Sequence, residues 1–433
     1  MKGFLLAGCA AIALVGFCTA ATAETAPGKF DINLSGDAFI EAGYVNQSND
    51  GATNNGNTKN FDLINRFRLT VNPEAKADNG LTYGAKMRMR AYWQNGTIDG
   101  DQAYVYVNGT FGNIEAGVQQ NPNYQFYVIA PNSFGTGGID GDWVQGSGWI
   151  TNQGTFMEPY FGGGFNNVTN STMSTRVNYF TPRFFGSDEK TGLMGMVSYA
   201  PNNLDMGTAV NRSRTINNSN PLSYNNCGQN ALPAGSTTIA NNAQGCAYQN
   251  IYEVGVRYDG NLGPVSVSTS LGYQHGDAQT NVLASGTRIA YNDLESYQAG
   301  VQFGYAGFLV GGSYMNAGKS AYAKSNSGLG ALSLSDQSTW TAGISYETGP
   351  VIVGFNYAHG EDAGDITVPG SRSGDMLAVG AIYTLAPGMT TSIEWIHSTT
   401  DNERGFGTDP MGYSTVAGSG NADVFLWRNM VTF

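Results

Sequence analysis

The chain has 433 residues and a formal net charge of -12, with 60 Gly, 24 Tyr, 21 Phe and only 12% charged residues. Gly serves tight turns and aromatic residues favour strands, so this composition predicts an all-β protein with little helix. The acidic balance and the absence of a basic tail argue against nucleic acid as a partner.

The first residues have the three parts of a secretory signal. A positive start at Lys2 is followed by an apolar run over 3–16 and by the small-x-small site Ala21-Thr22-Ala23. We therefore predict a cleaved signal peptide over 1–23 and a mature, exported chain over 24–433. Two of the four cysteines, Cys9 and Cys18, fall in this leader.

A period of two runs through the mature chain and predicts strands rather than helices. The predicted strands lie near 30–46, 61–72, 80–94, 100–109, 112–120, 173–183, 191–200, 250–259, 263–275, 292–305, 307–316, 337–347, 350–360, 374–385, 388–398 and 422–433. Nothing after the leader approaches 18 consecutive apolar residues.

The stretch from Phe61 to Trp93 shows the alternation most clearly. One face of its first strand is apolar, and the other face is polar and basic. The basic positions on this polar face, over the two strands of the stretch, are Arg66, Arg68, Lys86, Arg88 and Arg90. A soluble sandwich would turn the apolar face inward, whereas a barrel in the outer membrane would turn it to lipid.

The lengths of the connections decide between these two folds. Every second connection is short, and the alternate connections are mostly long and polar: 47–60, 95–99, 121–172, 201–249, 276–291, 317–336, 361–373 and 399–421. Short turns at one rim and long loops at the other are typical of outer-membrane barrels. The sequence thus predicts a transmembrane antiparallel β-barrel of sixteen strands, whose even number lets the last strand pair with the first.

Two stretches resemble the Gram-negative general-diffusion porins. Residues 103–119 are similar to the fourth and fifth strands with their Phe-Gly turn at Phe111-Gly112, and 175–184 are similar to the strand after the infolded loop. The resemblance covers 24–433 and implies a homotrimer in which each chain holds a water-filled channel for passive diffusion of small hydrophilic solutes and ions. It also implies that a third loop, 121–172, folds inward as the constriction.

On this interpretation, opposite charges face each other across the constriction. The loop carries Asp140, Asp142 and Glu158, and the basic row Arg66, Arg68, Lys86, Arg88 and Arg90 lies on the wall. Such an arrangement puts a transverse field across a pore and orients polar solutes. The alternative is that neighbours such as Glu41 and Glu115 neutralise the row and leave transport unaffected.

Two cysteines remain in the mature chain, Cys227 and Cys246, both within the long loop 201–249. In an exported protein they are expected to form a disulfide, which would stabilise the folded state by about 3 kcal/mol; two free buried thiols are the alternative. This loop also motivates a rival hypothesis, a barrel that acts as adhesin or receptor. A substrate-selective channel is a further alternative.

The sequence predicts no enzyme and no cofactor. The acidic turns Asp99-Gly100-Asp101, Asp140-Gly141-Asp142 and Glu361-Asp362 offer oxygens to a structural Ca²⁺, but none has the spacing of a complete calcium loop. His275, His359 and His397 fall at the long-loop rim without a Ser-centred motif, so we expect solvated histidines there. The expected partners are outer-membrane lipid, lipopolysaccharide, and small polar solutes and ions.

Overall fold

The computed structural model describes residues 29–47, 60–91, 98–141, 173–186, 190–202, 215–217, 248–278, 280–282, 288–289, 292–320, 336–362, 372–404 and 417–433. Sixteen strands of this part of the chain form one closed barrel. The first eight are β1 Asp31–Gln47, β2 Phe61–Lys76, β3 Thr82–Ala91, β4 Ile98–Gly109, β5 Gly112–Gln120, β6 Met173–Phe180, β7 Gly192–Asn202 and β8 Tyr248–Leu262. The others are β9 Val265–Ala278, β10 Leu294–Tyr305, β11 Phe308–Gly318, β12 Gln337–Thr348, β13 Val351–Asp362, β14 Arg372–Ala386, β15 Met389–Arg404 and β16 Ala417–Thr432.

Each strand pairs antiparallel with its neighbours in the chain, and β16 returns to β1. The terminal Phe433 completes this closure, because its backbone N–H donates to Gly36 and its carbonyl accepts from Gly36. Its ring lies 5.9 Å from that of Phe67 on β2. Closure pairs the edge strands, so neither β1 nor β16 exposes an unpaired ladder.

The apolar side chains of the alternating pattern point outward. On β2, Phe61, Leu63 and Phe67 are more than two-fifths exposed, and the same holds for Val105 on β4 and Ile393 on β15. The intervening residues point into the lumen. The predicted orientation, with the apolar face outside and the basic face inside, is confirmed.

Seven connections at one rim are short, as predicted, and several of them use a backbone conformation with positive φ. Between β10 and β11 the turn is Ala306-Gly307, with φ of 51° and 86° at its two residues. Two successive positive φ values define the tight turn that suits the twist of a hairpin. Gly307 accepts this at no steric cost, whereas Ala306 is strained.

Little of the described chain lies outside the barrel wall. Helix α1, Pro122–Phe126, and a 3₁₀ turn, Gly138–Asp140, follow β5. Three short strands, 215–217, 280–282 and 288–289, form a small separate sheet beyond the long-loop rim. No helix among the described residues has the length and apolar character needed to cross a membrane.

Candidate functional site

The segment over 121–141, which follows β5, lies against the inner face of the barrel. It begins with α1, where the side chain of Asn121 accepts from the N–H of Tyr124 at 2.7 Å and Pro122 occupies the first turn. These are ordinary signals for starting a helix, and they turn the chain away from the wall strand β5. Its side chains and backbone then contact β6 and the following strands round to β16.

A buried ion pair fixes the start of the segment. Arg176 on β6 donates to Glu253 on β8 at 2.8 Å, and neither side chain is exposed. The amides of Asn123 in α1 and of Gln274 on β9 also donate to this carboxylate, each at 3.1 Å. A buried charge pair needs such additional hydrogen bonds to offset desolvation, and here one of them comes from the segment itself.

The middle of the segment binds the wall through its backbone. The N–H of Val128 donates to Ser270 on β9 at 2.9 Å, and the carbonyl of Ile129 accepts from Gln302 on β10 at 2.9 Å. The N–H of Ala130 donates to Thr341 on β12 at 3.1 Å. Polar side chains of the lumen thus supply the hydrogen bonds that an irregular backbone needs once it leaves water.

Two inward-facing glycines make room for this contact. A Cβ at Gly300 on β10 would lie 1.7 Å from the carbonyl oxygen of Val128, and one at Gly354 on β13 would lie 2.0 Å from the ring of Phe134. Both separations are far below van der Waals contact. The segment therefore packs directly on the backbone of the wall at these positions.

Glu394 on β15 holds the far end of the segment. Its carboxylate accepts from the N–H of Gly138 at 2.9 Å and from both the N–H, at 2.9 Å, and the hydroxyl of Thr136. Beside it, Arg428 on β16 donates to the carbonyl of Thr136 at 3.3 Å and forms a buried ion pair with Glu41 on β1 at 2.6 Å. Carboxylate acceptors for backbone N–H groups are strong hydrogen-bond partners.

Apolar packing accompanies these polar anchors. Phe134 and Ile139 are fully buried against inward-facing apolar residues of the wall: Val45, Ala358, Met376, Ala378, Ile396, Val424 and Leu426. The lumen therefore contains a small hydrophobic core on the side of β13–β16. Burial of Phe134 and Ile139 contributes on the order of 1.5–3 kcal/mol each to holding the segment at the wall.

The basic row lies on the wall that this segment leaves uncovered. Arg66, Arg68, Lys86, Arg88 and Arg90 all point inward from β2 and β3. The two strands are adjacent, and Arg68 stands directly opposite Arg90 in their register. Strands β2 and β3 are eight places from β10 and β11 in the closed order, so the row faces the bound segment across the lumen.

The row has an acidic neighbour that the sequence interpretation did not name. Asp37 on β1 accepts from Arg66 at 2.7 Å and lies 3.5 Å from Arg68. Glu41, one of the alternative partners of the row, forms an ion pair with Arg428. The ring of Phe39, two residues from Glu41 on the same strand, lies 4.7 Å from Arg66 and 4.1 Å from Arg428.

Of the three acidic loop residues, the structure describes Asp140. Its carboxylate accepts from the hydroxyl of Tyr127 at 2.6 Å and from the amide of Asn132 at 3.1 Å. These bonds close the segment on itself while leaving the carboxylate half-buried. Asp142 and Glu158 lie outside the described residues, as do Cys227 and Cys246 with their predicted disulfide.

A profile of the Gram-negative porins matches residues 10–403. The chain belongs to the Gram-negative porin family. This porin is an outer-membrane channel for passive diffusion of small hydrophilic solutes and ions. No curated protein sequence matches it.

Solved structures with the same fold are distant in sequence. The anion-selective porin from Comamonas acidovorans is 14% identical, with 94% of this chain and 100% of that one covered and a TM-score of 0.54. The trimer form of OmpT from Vibrio cholerae is 12% identical, with 93% and 99% covered and a TM-score of 0.53. The channel DcaP of Acinetobacter baumannii is 13% identical, with 96% and 100% covered and a TM-score of 0.52.

Several lumenal residues escaped the sequence interpretation. At the short-turn end, Arg257 on β8 binds Asp259 through two nitrogens, at 2.9 and 3.0 Å, and Arg183 donates to the same carboxylate at 3.1 Å. Glu394 was also missed. The period of two predicts that Arg257, Asp259 and Glu394 face the lumen. It does not show which residue each of them contacts there.

Among the described residues, no three His, Cys, Asp or Glu side chains are grouped as a metal ion requires. Asp140 is occupied by Tyr127 and Asn132, and Asp142 beside it lies outside the described part of the chain. A structural Ca²⁺ at the acidic turns stays a prediction.

Proposed function

We propose that the constriction of this porin lies between the segment over 121–141 and the basic row on β2 and β3. The carrying observation is that the described segment is held by wall strands round to β16, on the side of the barrel opposite the five cations. Asp140 supplies negative charge on the segment side. Charges of opposite sign on opposite walls orient polar solutes and disfavour apolar ones.

We further infer a preference for anions at this constriction. The basic row is concentrated on two adjacent strands, and the register that places Arg68 opposite Arg90 brings two guanidinium groups to one level. Arg side chains in such a fork recognise carboxylates and phosphates well. The solved neighbour from Comamonas acidovorans is described as anion-selective, which agrees with this preference.

We propose a homotrimer that contacts its partners through the sector β3–β6. These strands are short, with 10, 12, 9 and 8 residues, against 15, 16, 16 and 17 in β14, β15, β16 and β1. Their described outward residues are small or aliphatic toward the long-loop rim, such as Ala103, Val105, Ala116 and Val177. The aromatic girdle expected at a lipid interface is carried by the other strands, from Tyr199 on β7 round to Phe61 on β2.

A channel accounts for the site better than a rim enzyme or an adhesin. The three histidines point outward at the rim, away from the lumen, and the described part of the segment lies along the wall rather than across the barrel. No catalytic role is proposed for any described residue.

Conductance in a planar bilayer tests this function. The purified trimer should give large, stepwise, roughly ohmic currents, and in a salt gradient the reversal potential should have the sign of anion preference. A nearly silent barrel would contradict the channel, and cation preference would contradict the role of the basic row. Competition of a sugar with the ion current would reveal a saturable, substrate-selective site instead.

A further inference from the structure

All three histidines of the chain occupy the same local arrangement on the outer surface of the barrel. Each follows an aromatic residue by two positions, in Tyr273-Gln274-His275, Tyr357-Ala358-His359 and Trp395-Ile396-His397. Each stands directly opposite a carboxylate of the next strand, namely Glu295, Asp375 and Asp423. Residues two apart share a face of a strand, so every histidine is on the side of its aromatic residue.

The pairs on β13–β14 and β15–β16 have the tightest geometry. The Nδ1 of His359 lies 2.8 Å from Asp375, and the Nδ1 of His397 lies 2.9 Å from Asp423. Each carboxylate also accepts from the aromatic residue below, Asp375 from the hydroxyl of Tyr357 and Asp423 from the indole N–H of Trp395. A carboxylate at Nδ1 fixes the ring and leaves Nε2 as the atom that meets a ligand.

The His397–Asp423 pair borders an apolar groove on the same outer face, and the His359–Asp375 pair lies four residues above the nearest lining residues of its strands, Phe355 and Val379. The groove has a volume of about 740 Å³, in the size range of small-ligand sites, and is lined by Ile344, Phe355, Val379, Ile393, Trp395 and Phe425. Trp395 lies two residues from His397 along β15, and Phe425 lies two residues from Asp423 along β16.

Depth in the membrane decides what fills this groove. Ile393 is 61% exposed and Phe425 is 51% exposed on the outward face, which in an outer-membrane barrel contacts hydrocarbon chains. The histidines are two residues further toward the long-loop rim than the aromatic rings, which is about 5 Å for tilted strands. They therefore lie at the level of the outer-leaflet headgroups, while the groove below them lies among the acyl chains.

We propose that the outward face of β12–β16 is a docking site for a phosphorylated lipid of the outer leaflet. The acyl chains occupy the groove, and the phosphate accepts hydrogen bonds from Nε2–H of His359 and His397 once the imidazoles are protonated. The proposal rests on the outer-membrane orientation of this porin and leaves its channel unchanged. Strands β1 and β2 separate this face from β3, and β7 to β11 separate it from β6, so it stays in contact with lipid in a trimer that associates through β3–β6.

Protonation controls the charge of this surface. His359 faces Asp375 on β14 and Trp340 on β12, with Glu361 further along its own strand. His397 faces Asp423 on β16 and Leu377 on β14. Neutral imidazoles leave these carboxylates to repel a phosphate, whereas imidazolium groups neutralise them and donate to it.

The test is lipid binding to the intact porin in neutral detergent at pH 5.5 and pH 8. The probe is bis-phosphorylated lipid A, with its dephosphorylated form as comparison, and the readout is the apparent Kd from native mass spectrometry. We expect about tenfold tighter binding of the phosphorylated form at pH 5.5 than at pH 8, and no such difference for the dephosphorylated form. Inorganic phosphate added with the dephosphorylated lipid should not restore it.

Three variants separate the parts of this proposal. His359→Gln/His397→Gln should lose the pH dependence, and the control His275→Gln should keep it, because His275 is on β9, which contributes no residue to the lining of the groove. Ala381→Trp, which fills the groove, should weaken both lipid forms about tenfold. A pH dependence that survives in the double variant, or that is lost in the control, would overturn the proposal. Conductance of the double variant should match wild type, so a failed docking site is distinguished from a failed channel.

Discussion

Arg68 on β2 stands directly across from Arg90 on β3, on the lumenal face. Side chains in register on adjacent antiparallel strands have Cβ atoms about 5 Å apart, so like charges there repel. Asp37 lies 3.5 Å from Arg68 and relieves part of this repulsion. An anion in transit provides the same relief, which is the physical basis of the proposed preference.

Neutralising the basic row should move the channel toward cations. In Arg88→Gln/Arg90→Gln we expect the reversal potential in a tenfold salt gradient to shift toward the cation side by the order of 10 mV, out of about 59 mV for ideal selectivity. Lys190→Gln is the control, because Lys190 is exposed at the short-turn rim. An unchanged reversal potential would remove Arg88 and Arg90 from the constriction.

Removing the anchor at the far end of the segment should loosen the constriction. Glu394→Ala deletes the acceptor for Thr136 and Gly138 and leaves their N–H groups unpaired, which costs about 1–3 kcal/mol for each buried donor. Single-channel records should show larger open-channel noise than wild type. Ser392→Ala, on the same strand and face, should leave the noise unaltered; equal noise in Glu394→Ala and wild type would contradict the anchoring role.

The inward glycines can be tested by adding one methyl group. In Gly300→Ala the new Cβ would overlap the carbonyl oxygen of Val128, so the segment must move away from the wall. We expect a changed single-channel conductance in a barrel that still folds, measured in planar bilayers. Gly195→Ala is the matched control, because its Cβ would meet Thr181 no closer than 3.5 Å. The same conductance in both variants would show that the segment does not rest on β10.

Breaking the buried ion pair at the start of the segment should lower the free energy of unfolding more than breaking a half-buried ion pair. Arg176→Met leaves Glu253 charged without its partner, and such a loss costs about 3–5 kcal/mol. Arg183→Gln removes one of two cations at Asp259, and we expect a cost of no more than about 1 kcal/mol. Urea titration of the folded barrel in lipid vesicles, followed by tryptophan fluorescence, measures both. Similar losses of stability in the two variants would contradict a special role for the buried pair.

The fold of this protein could be derived from its sequence almost completely. Alternation of side chains is a local property, so Phe61 and Leu63 on one face and Arg66 and Arg68 on the other already determine that this stretch is a strand and which residues share a face. The parity of short and long connections then gives sixteen strands. The observed strand ends differ from the predicted ones by a few residues. For example, β8 begins at Tyr248 and ends at Leu262, whereas the sequence predicted 250–259.

The constriction could be predicted only in part, for a physical reason. The inward direction of Arg88 and Arg90 follows from the period of two, because it depends on neighbours in the chain. The partners of Glu394 and Glu253 do not, since Thr136 and Asn123 reach them across the lumen from an irregular segment whose path depends on packing at Gly300 and Gly354. The sequence by itself therefore determined which wall residues face water. Only the tertiary structure decided which of them hold the segment and which line the open channel.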